Sequence, residues 1–446
     1  MTPNTLVLTE EQLKVNTAII DAATNKVAEV IVVEGGGGVG KTTSVFSALA
    51  ELEGTYNKRI VTCAPTHKAV NVLNETARKQ GMEFPSFTLA SLLGYRVLPE
   101  DGKKVFKPEA PSRLDNNKYD VLLVDEGSQV NEYVKRHLIR ECIRNRTTLI
   151  VMGDGAQIPP VKSTKSPLLE ADNKHFLTTV HRYQGEILAM ATELREFILP
   201  EQYGGVAWDP DKPMDKYPIS NLGKYLNNKD GSIISLNRRD LVQHYMDNMD
   251  RNDPDRAVIL CWRNATVKEY NREIHERIHG ANAQDFVVGD IVVPQSPVES
   301  MFGAVNTEEP CFIRDIVPST FDMLDLGKVI VKTWELTLES FYTGEQVVTN
   351  AVQDSDLVLY KDAMNEIAQM CRAGEVYWSQ FWEIDNMFTE IRHTYARTSH
   401  KAQGSTFHSA YIDLVDMVPC REQRTFNRML YTAITRPSNN LIIRES

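Results

Sequence analysis

Long apolar runs, paired cysteines and an excess of basic residues are all missing from this sequence. No apolar run approaches the roughly 18 residues that span a bilayer, and the N-terminus lacks the features of a signal peptide, so we expect a soluble cytoplasmic protein. The six cysteines include no C-x-x-C pair, which favours reduced thiols over zinc or a disulfide framework. The net charge of −11 argues against a protein that coats nucleic acid by bulk attraction. A local basic channel remains compatible with it.

The first third of the chain alternates between strand-like and helical stretches. Its short apolar runs are typical of strands buried in a parallel sheet, and helical spacing fits the stretches between them. Repeated alternation of this kind predicts a doubly wound α/β domain with a parallel sheet. The strand-like runs are residues 30–33, 60–64, 121–124 and 149–152, and the helical stretches are residues 10–23, 41–52, 68–80 and 133–144.

Two insertions interrupt this alternation. Asp101-Gly102 lies between short strand-like runs at residues 95–98 and 104–106, which predicts a β-hairpin, although a plain surface excursion explains the spacing equally well. A second α/β segment begins near residue 258 and resumes near residue 410. Between them the sequence is β-rich, which predicts a small inserted β-barrel. The β-rich stretches are residues 286–293, 311–317, 329–338 and 346–352.

The clearest functional motif is a glycine-rich loop between an apolar strand and a helix. Gly35, Gly40, Lys41 and Thr42 fit the pattern G-x-x-x-x-G-K-[ST]. Backbone N–H groups and the helix N-terminus suit phosphate oxygens, Lys41 reaches the β- and γ-phosphates, and the Thr42 hydroxyl is a ligand for Mg²⁺. We therefore predict nucleoside triphosphate hydrolysis. The residues expected to bind the nucleotide here are Gly35, Gly36, Gly37, Gly38, Val39, Gly40, Lys41, Thr42 and Thr43.

Acidic residues follow a later strand-like run and complete the predicted hydrolytic site. Asp125 would hold Mg²⁺, and Glu126 would orient or deprotonate the attacking water. Gln157 follows the next strand and is a candidate sensor of the γ-phosphate. Acidic residues after strands are common, so this assignment depends on the upstream glycine loop.

An ordered set of motifs then runs along almost the whole chain and resembles the superfamily-1 helicases. The resemblance is to the 5′-to-3′ branch, which comprises RecD-like and phage Dda-type enzymes. The motifs APTHKA, GDxxQxPPV, HKAQG and YTAITR are together highly specific. The matching stretches are LTEEQ (8–12), GGGGVGKTT (35–43), CAPTHKAV (63–70), SFTLASLLG (86–94), VDEGSQV (124–130), GDGAQIPPV (153–161), TVHRYQGEILAMATELR (179–195), TSHKAQGSTF (398–407) and LYTAITRP (430–437).

The resemblance implies an α/β fold of two RecA-like P-loop domains, each a parallel sheet flanked by helices. It places a β-hairpin pin (1B) at about 95–112 within domain 1A, which covers residues 1–180. Domain 2A would cover residues 181–285 and 396–446, and an accessory domain 2B with an SH3-like β-barrel and tower would cover 286–395.

The resemblance also implies an ATP-dependent DNA helicase that moves 5′ to 3′ on single-stranded DNA in phage-type replication or recombination. Its cofactors would be ATP and Mg²⁺, and its partners single-stranded DNA, DNA forks and a single-strand-binding protein or other replication proteins. It would act as a monomer that does not bind a membrane, and it would work in the host cytoplasm if a phage encodes it. Two alternatives stay open: a translocase that displaces proteins without efficient unwinding, and a nucleotide switch without motor activity.

Further site residues are implied by the resemblance alone. Gln12 would recognise the adenine edge, Arg182 and Arg436 would be arginine fingers, and Gln403 and Gly404 would couple DNA to the γ-phosphate. Small hydroxyl, amide and basic groups suit contact with a DNA backbone. The expected DNA contacts are Pro65, Thr66, His67, Thr88, Ser91, His400, Lys401 and Ser405, with Phe106 as the aromatic residue of the pin.

Three details qualify these expectations. Residues 35–38 are four consecutive glycines, where the family usually has alanine-threonine or a proline, so the loop gains freedom that nucleotide binding must remove. Ala90 stands where relatives commonly carry histidine, which puts a DNA contact there in doubt. Trp378, Phe381 and Trp382 we interpret as core packing rather than as DNA contacts.

Overall fold

The computed structural model describes residues 8–25, 29–100, 103–161, 163–179, 185–209, 212, 214–226, 232–300, 303–323 and 329–445. These residues divide into two compact units. Unit 1 comprises the described residues of Met1–Arg96, Pro108–Arg238 and Thr398–Ser446, and unit 2 those of Val97–Lys107 and Arg239–Arg397. None of the helices formed by these residues is both long enough and apolar enough to cross a membrane.

The α-helices of the described residues, in chain order, are α1 (Glu10–Thr24), α2 (Lys41–Gly54), α3 (His67–Lys79), α4 (Leu89–Leu92), α5 (Arg113–Asn117), α6 (Glu132–Asn145), α7 (Glu186–Ile198), α8 (Arg238–Asn248), α9 (Asn264–His279), α10 (Leu357–Ala373), α11 (Trp378–Met387), α12 (Leu414–Met417) and α13 (Gln423–Ile434). The four helices predicted between residues 10 and 144 are all present, with bounds that agree to within one or two residues.

The strands of unit 1 are β1 (Val30–Gly35), β2 (Ile60–Ala64), β3 (Ser86–Thr88), the start of β4 (Tyr95–Glu100), the end of β5 (Lys103–Pro108), β6 (Val121–Val124), β7 (Thr148–Gly153), β8 (Asn173–Leu177), β9 (Ile233–Leu236), β19 (Phe407–Asp413) and β20 (Pro437–Arg444). The strands of unit 2 are the remainder of β4 and β5, then β10 (Ala257–Cys261), β11 (Ile291–Pro294), β12 (Val298–Ser300), β13 (Gly303–Val305), β14 (Cys311–Asp322), β15 (Ile330–Ser340), β16 (Gln346–Val352), β17 (Ile391–His393) and most of β18 (Ala396–Thr398).

The central sheet of unit 1 has the order β3-β2-β6-β7-β1-β8, and its neighbouring strands pair in parallel. Apolar side chains fill both faces, so Ile31 belongs to the core on one side and Val32 to the core on the other. This confirms the predicted doubly wound arrangement. Because the carboxyl ends of parallel strands meet at one edge, β1, β6 and β7 deliver Gly35, Asp125 and Asp154 to the same place.

Unit 1 also contains the parallel strands β9, β20 and β19, which pair in that order. Helix α13 packs against α7 in this unit, and residues 426–434 of α13 are all buried. Polar side chains are part of that buried run, among them Asn427, Arg428 and Thr432. Buried polar groups require hydrogen-bond partners, so this helix has to be held by specific contacts.

The main sheet of unit 2 is antiparallel and has the order β16-β15-β14-β11-β17. It encloses one apolar core together with the β12–β13 hairpin. The predicted strand at residues 286–293 begins only at Ile291, because Gly289 adopts a left-handed conformation and Asp290 accepts a hydrogen bond from Val287 N. The likeness of this sheet to an SH3 barrel stays a prediction.

A second core of unit 2 lies where α10 and α11 pack together. Trp378 and Phe381 pack against its buried residues, and Trp382 is itself buried, as expected for core packing.

The predicted hairpin forms a two-stranded sheet of β4 and β5, although its turn at Asp101-Gly102 lies outside the described residues. Lys104 on β5 pairs with Asp385 of α11 at 2.6 Å and lies over the Trp382 ring at 5.6 Å. These contacts anchor the hairpin within unit 2. Its role as a strand-separating pin stays a prediction.

Candidate nucleotide-binding site

The glycine loop connects β1 to α2, and its geometry explains most of its glycines. Gly38 and Gly40 have φ angles of 75° and 82°, in the left-handed region that side chains disfavour. At Gly35 a Cβ would lie 2.6 Å from Leu177 O of the paired strand β8. At Gly37 a Cβ would meet no atom of the described residues within 4 Å. Gly37 is therefore the glycine that neither conformation nor space requires.

Lys41 begins α2 and folds back over the loop. Its Nζ donates hydrogen bonds to Gly35 O and Gly36 O, each at 2.7 Å. Burial lowers the pKa of Lys41, while nearby negative charges, of which Asp154 has the largest effect, act in the opposite direction. The N-cap residue of α2 is Gly40, and none of the described side chains caps this helix, so its first N–H groups remain suited to phosphate oxygens.

Asp125 and Glu126 follow β6 directly and form a strained acidic pair. Glu126 has a φ angle of 51°, and Asp125 Oδ1 accepts a hydrogen bond from Glu126 N at 2.8 Å. Burial raises the pKa of Asp125. Burial raises the pKa of Glu126 to about 7, the charge of Asp125 adds to this, and the charge of Arg436 opposes it. Arg436 is thus electrostatically part of the same site.

The oxygen donors present fit a magnesium ion. Asp125 supplies a carboxylate at the end of β6, and Thr42 supplies a hydroxyl in the first turn of α2. Hard oxygen donors of this kind suit Mg²⁺, which binds through one or two protein groups and otherwise through water and phosphate. The assignment of Thr42 and Asp125 as its ligands stays a prediction.

Arg436 follows α13 and is buried, with its guanidinium held by neighbouring backbone. Its Nε donates to Thr432 O at 2.9 Å and its Nη1 to Ser405 O at 3.0 Å. A guanidinium fixed in this way has a defined position relative to Glu126. Its action as an arginine finger stays a prediction, and Arg182, the other expected finger, lies outside the described residues.

Behind the glycine loop lies a buried charge network that the sequence did not predict. Asp154 Oδ2 accepts a hydrogen bond from Tyr431 Oη at 2.7 Å, and its Oδ1 accepts one from Arg195 Nε at 3.4 Å. Arg195 Nη2 lies 3.8 Å from Glu34 Oε1, and Lys174 Nζ lies 2.6 Å from Glu34 Oε2. Glu34, Asp154 and Arg195 are 2–3% exposed.

The charges in this network compensate one another. Burial alone would raise the pKa of Asp154, but the charges of Arg195 and Lys41 and the hydrogen bonds from Tyr431 and Ala156 N together hold it below the ordinary range. A Cβ on Gly36 would lie 3.2 Å from Tyr431 Oη and 3.4 Å from Arg195 Cδ. The network is therefore in direct reach of the glycine loop. A sequence signal existed in Glu34, a charge at the end of an otherwise apolar strand.

Polar side chains near the C-terminus also hold the loop at residues 155–158. Arg428 Nη1 donates to Gly155 O and Gln157 O, and Thr432 Oγ1 accepts from Ile158 N at 3.3 Å. Gln403 Nε2 donates to Ile158 O at 2.9 Å. Gln157 is buried, and within the described part of the chain its Oε1 has no hydrogen-bond partner.

Two other expected nucleotide residues lie in defined positions. Gln12 is buried in the first turn of α1, where its Oε1 accepts from Thr9 N in a capping box, and Ser44 Oγ of α2 donates to Gln12 O. A Cβ on Gly404 would lie 3.9 Å from Glu126 Oε1, which places this glycine beside the acidic pair. Their roles in adenine recognition and DNA coupling stay predictions.

The expected DNA contacts differ in exposure. Thr66, His67, His400 and Lys401 are exposed, and Pro65 and Ser91 are partly buried. Thr88 and Ser405 are buried; Thr88 Oγ1 caps α4 by accepting from Ser91 N, and Thr66 Oγ1 caps α3 by accepting from Ala69 N. Phe106 on β5 is 47% exposed. A contact of any of them with DNA stays a prediction.

Comparison with known proteins supports a single family. Residues 16–163 match the family profile described as an AAA domain, and residues 393–443 match the UvrD-like helicase C-terminal domain. The ATP-dependent DNA helicase Dda of Enterobacteria phage T4 is 26% identical over 467 residues, which cover 96% of this chain and 97% of that protein. The RecBCD enzyme subunit RecD of Buchnera aphidicola subsp. Acyrthosiphon pisum is 30% identical over 448 residues, covering 92% of this chain and 68% of that protein.

Solved structures share the fold. The Bacteroides Pif1 helicase in complex with ADP-AlF3 and ssDNA has a TM-score of 0.51 and 17% identity, covering 99% of this chain and 93% of that one. A structure of DNA unwinding at forked dsDNA by two coordinating Pif1 helicases has a TM-score of 0.51 and 15% identity, covering 98% and 92%.

The loop geometry predicts different effects for two glycine substitutions. Gly35→Ala should weaken ATP binding by roughly tenfold or more, because the new Cβ must displace Leu177 O or the Val39 side chain. Gly37→Ala is the matched control and should leave affinity within about fivefold, since the reduced chain freedom is worth at most about 1 kcal/mol. Titration of each folded variant with ATP measures both; equal losses would contradict this account of the loop.

The raised pKa of Glu126 predicts a pH profile. If Glu126 accepts the proton of the attacking water, hydrolysis needs the ionised form of this carboxyl group. The value of kcat/KM should therefore rise as Glu126 loses its single proton, at a pH of about 7. Initial rates at saturating Mg²⁺ and without DNA would report this value for the free enzyme. Glu126→Gln should lower hydrolysis by about 10²–10⁴-fold while ATP still binds. A rate that stays constant down to pH 5.5 would exclude Glu126 as the base.

Proposed function

The chain belongs to the RecD-like branch of the superfamily-1 DNA helicases, and we propose that it uses ATP hydrolysis to move along single-stranded DNA and unwind duplex DNA. Members of this family are ATP-dependent DNA helicases. The proposal further includes movement from 5′ to 3′ and a role in phage-type replication or recombination in the host cytoplasm, by likeness to the phage T4 relative.

The observation that carries this proposal is one hydrolytic site built from residues far apart in the chain. Lys41 and Glu126 come from the first third, and Arg436, whose charge acts on Glu126, follows the last helix. A site that draws on both ends of the chain can respond to movement of either. This is what a motor requires and what a simple phosphate-binding loop lacks.

Each residue then has a defined task. Lys41 exchanges its hydrogen bonds to Gly35 O and Gly36 O for phosphate oxygens, and Glu126 takes the proton of the attacking water. Arg436 counters the negative charge that spreads over the transferred phosphoryl group. Bound Mg²⁺, held by Thr42 and Asp125, would neutralise further phosphate charge.

Coupling to DNA runs through the stretch that contains Gln403 and Gly404. Gln403 contacts the loop of Gln157 through Ile158 O, and Gly404 lies beside Glu126. The neighbouring His400 and Lys401 are exposed and suit contact with a DNA backbone. We propose that a strand bound there changes the position of Gln403 and hence of the loop that senses the γ-phosphate. Single-stranded DNA and forks would be the partners, with a single-strand-binding protein or other replication proteins recruited to them, and the motor would act as a monomer.

Matched forks test the proposed activity and its direction. The protein with ATP should unwind a duplex that carries a 5′ tail and leave one with a 3′ tail intact, as gel analysis of the released strand would show. Lys41→Ala should abolish both hydrolysis and unwinding, because its phosphate contacts are lost. Unwinding of only the 3′-tailed fork would overturn the direction. ATPase activity that single-stranded DNA does not stimulate would favour the nucleotide switch.

Substitution of Phe106 distinguishes the helicase hypothesis from the alternative of a translocase that opens duplexes poorly. Phe106→Ala should reduce unwinding and spare translocation, because stacking of an aromatic ring on a base is worth about 1–3 kcal/mol. Val97→Ala on the facing strand is a matched control, since Val97 is a similarly exposed apolar residue without an aromatic ring. Unwinding and release of a strand-bound protein should be measured for both variants. Equal loss of both activities in Phe106→Ala would remove its role in strand separation.

A further inference from the structure

Three histidines and one carboxylate pack together inside unit 2, in a place that no part of the helicase mechanism uses. His275 and His279 lie one turn apart on α9, Asp290 precedes β11, and His393 ends β17. The His275 ring is 4.7 Å from the His279 ring and 4.5 Å from the His393 ring, between centroids. His275 is 5% exposed and Asp290 is 2% exposed.

Hydrogen bonds fix which nitrogen of two of these rings carries the proton. His275 Nε2 is 2.8 Å from Gln284 O, and His393 Nε2 is 3.0 Å from Asp285 O. A carbonyl oxygen can only accept, so each Nε2 must donate its hydrogen, and each neutral ring then has a bare lone pair on Nδ1. Both Nδ1 atoms are buried and have no hydrogen-bond partner among the described residues.

The Nδ1 lone pair of His275 faces the buried carboxylate, and His393 lies beside the pair. His275 Nδ1 lies 3.4 Å from Asp290 Oδ2, and the ligand atoms of His275, Asp290 and His393 lie within 4.8 Å of one another. His279 Nε2 is 2.8 Å from Asp290 Oδ1 on the other side. Three electron-rich atoms that converge in a low-dielectric interior repel one another unless a cation lies between them.

The surroundings provide little of that positive charge. Arg251 Nη2 is 3.9 Å from Asp290 Oδ1, but its side chain is 50% exposed and therefore screened by solvent. A bound metal ion would satisfy both Nδ1 atoms and the carboxylate together, whereas a proton on His275 Nδ1 would satisfy only the His275–Asp290 pair.

We propose that His275, Asp290 and His393 bind one divalent transition-metal ion with water as the fourth ligand, and that His279 holds Asp290 in place through its hydrogen bond to Oδ1. Imidazole and carboxylate donors suit Zn²⁺, and histidine ligands in such sites commonly donate their other ring N–H to a backbone carbonyl, as both rings do here. The wide spacing of unpaired cysteines gave no hint of this site, because none of its donors is a thiol.

The ion would have a structural role. It would tie α9 to the loop before β11 and to β17, which pairs with β11 at the end of the antiparallel sheet. A pocket lined by Arg251, Asp253, Asp290 and Tyr395 borders the cluster. The site would therefore stiffen the attachment of the sheet without entering the hydrolytic reaction.

The test uses the full chain, free of any histidine tag and stripped with a chelator. Titration with Co²⁺ alone should give one equivalent bound, with the visible absorption of a four-coordinate ion, and Zn²⁺ should displace it. Asp290→Asn and His393→Gln should each weaken binding by at least about tenfold. Zn²⁺ should raise the unfolding temperature of the unsubstituted chain but not of these two variants.

Two controls separate this site from others. Asp125→Asn removes the predicted magnesium ligand, and His244→Gln removes a histidine of unit 2 outside the cluster; both variants should bind Co²⁺ as the original chain does. Circular dichroism establishes that each variant is folded. If the unsubstituted chain fails to bind one equivalent of Co²⁺, this result alone would overturn the proposal. Binding that Asp290→Asn and His393→Gln leave unchanged would also overturn it.

Discussion

The hydrogen bond between Tyr431 and Asp154, 2.7 Å long and buried, is the contact on which the nucleotide site depends. An unpaired carboxylate in this position would cost several kcal/mol, so Asp154 requires both Tyr431 and the Arg195 guanidinium. Tyr431 lies on α13, and fixing it also fixes Arg428, about one turn earlier, and the adjacent Thr432. The same helix leads into Arg436. A single buried charge therefore sets the position of the C-terminal residues relative to the glycine loop.

Because the nucleotide site depends on this network, the network contains buried polar atoms whose hydrogen-bonding capacity is not used. Within the described residues, Arg195 Nη2 and Gln157 Oε1 are buried without hydrogen-bond partners, although most such atoms in proteins have one. Arg195 Nη2 is a charged hydrogen-bond donor, which suits a phosphate oxygen. Gln157 Oε1 is a hydrogen-bond acceptor, which suits a water molecule. Arg195 lies behind Gly36 and Gln157 lies on the loop that Arg428 and Gln403 hold. The network thus connects nucleotide chemistry to the stretch expected to contact DNA.

The residues that the sequence could identify are those whose role follows from local backbone. The loop around Lys41 and the pair Asp125-Glu126 each follow a strand that its apolar run alone predicts. The order of these strands in the sheet then brings the loop and the acidic pair together. Arg195 and Asp154 both lie in stretches that match the family, but their contact was not identifiable, because an arginine on an amphipathic helix is usually exposed and the two residues are far apart in the chain. The Asp154–Tyr431 contact joins residues 277 positions apart. The short edge strands β3 and β8 were missed for a related reason, since β8 is only partly buried and carries polar residues.

The four glycines of the loop acquire a physical explanation from the same geometry. Gly35, Gly38 and Gly40 are required by space or by backbone angle, and Gly36 lies against Tyr431 and Arg195, which leaves Gly37 as added freedom. Ordering that residue costs free energy when phosphate binds. Lys41 already restrains the loop through two charge-assisted hydrogen bonds to its carbonyls, and under the proposed function these would be exchanged for phosphate oxygens rather than added to them. In that case ATP affinity would be set by the difference between two similar sets of bonds, and small changes in the buried network behind Gly36 would have a large relative effect on it.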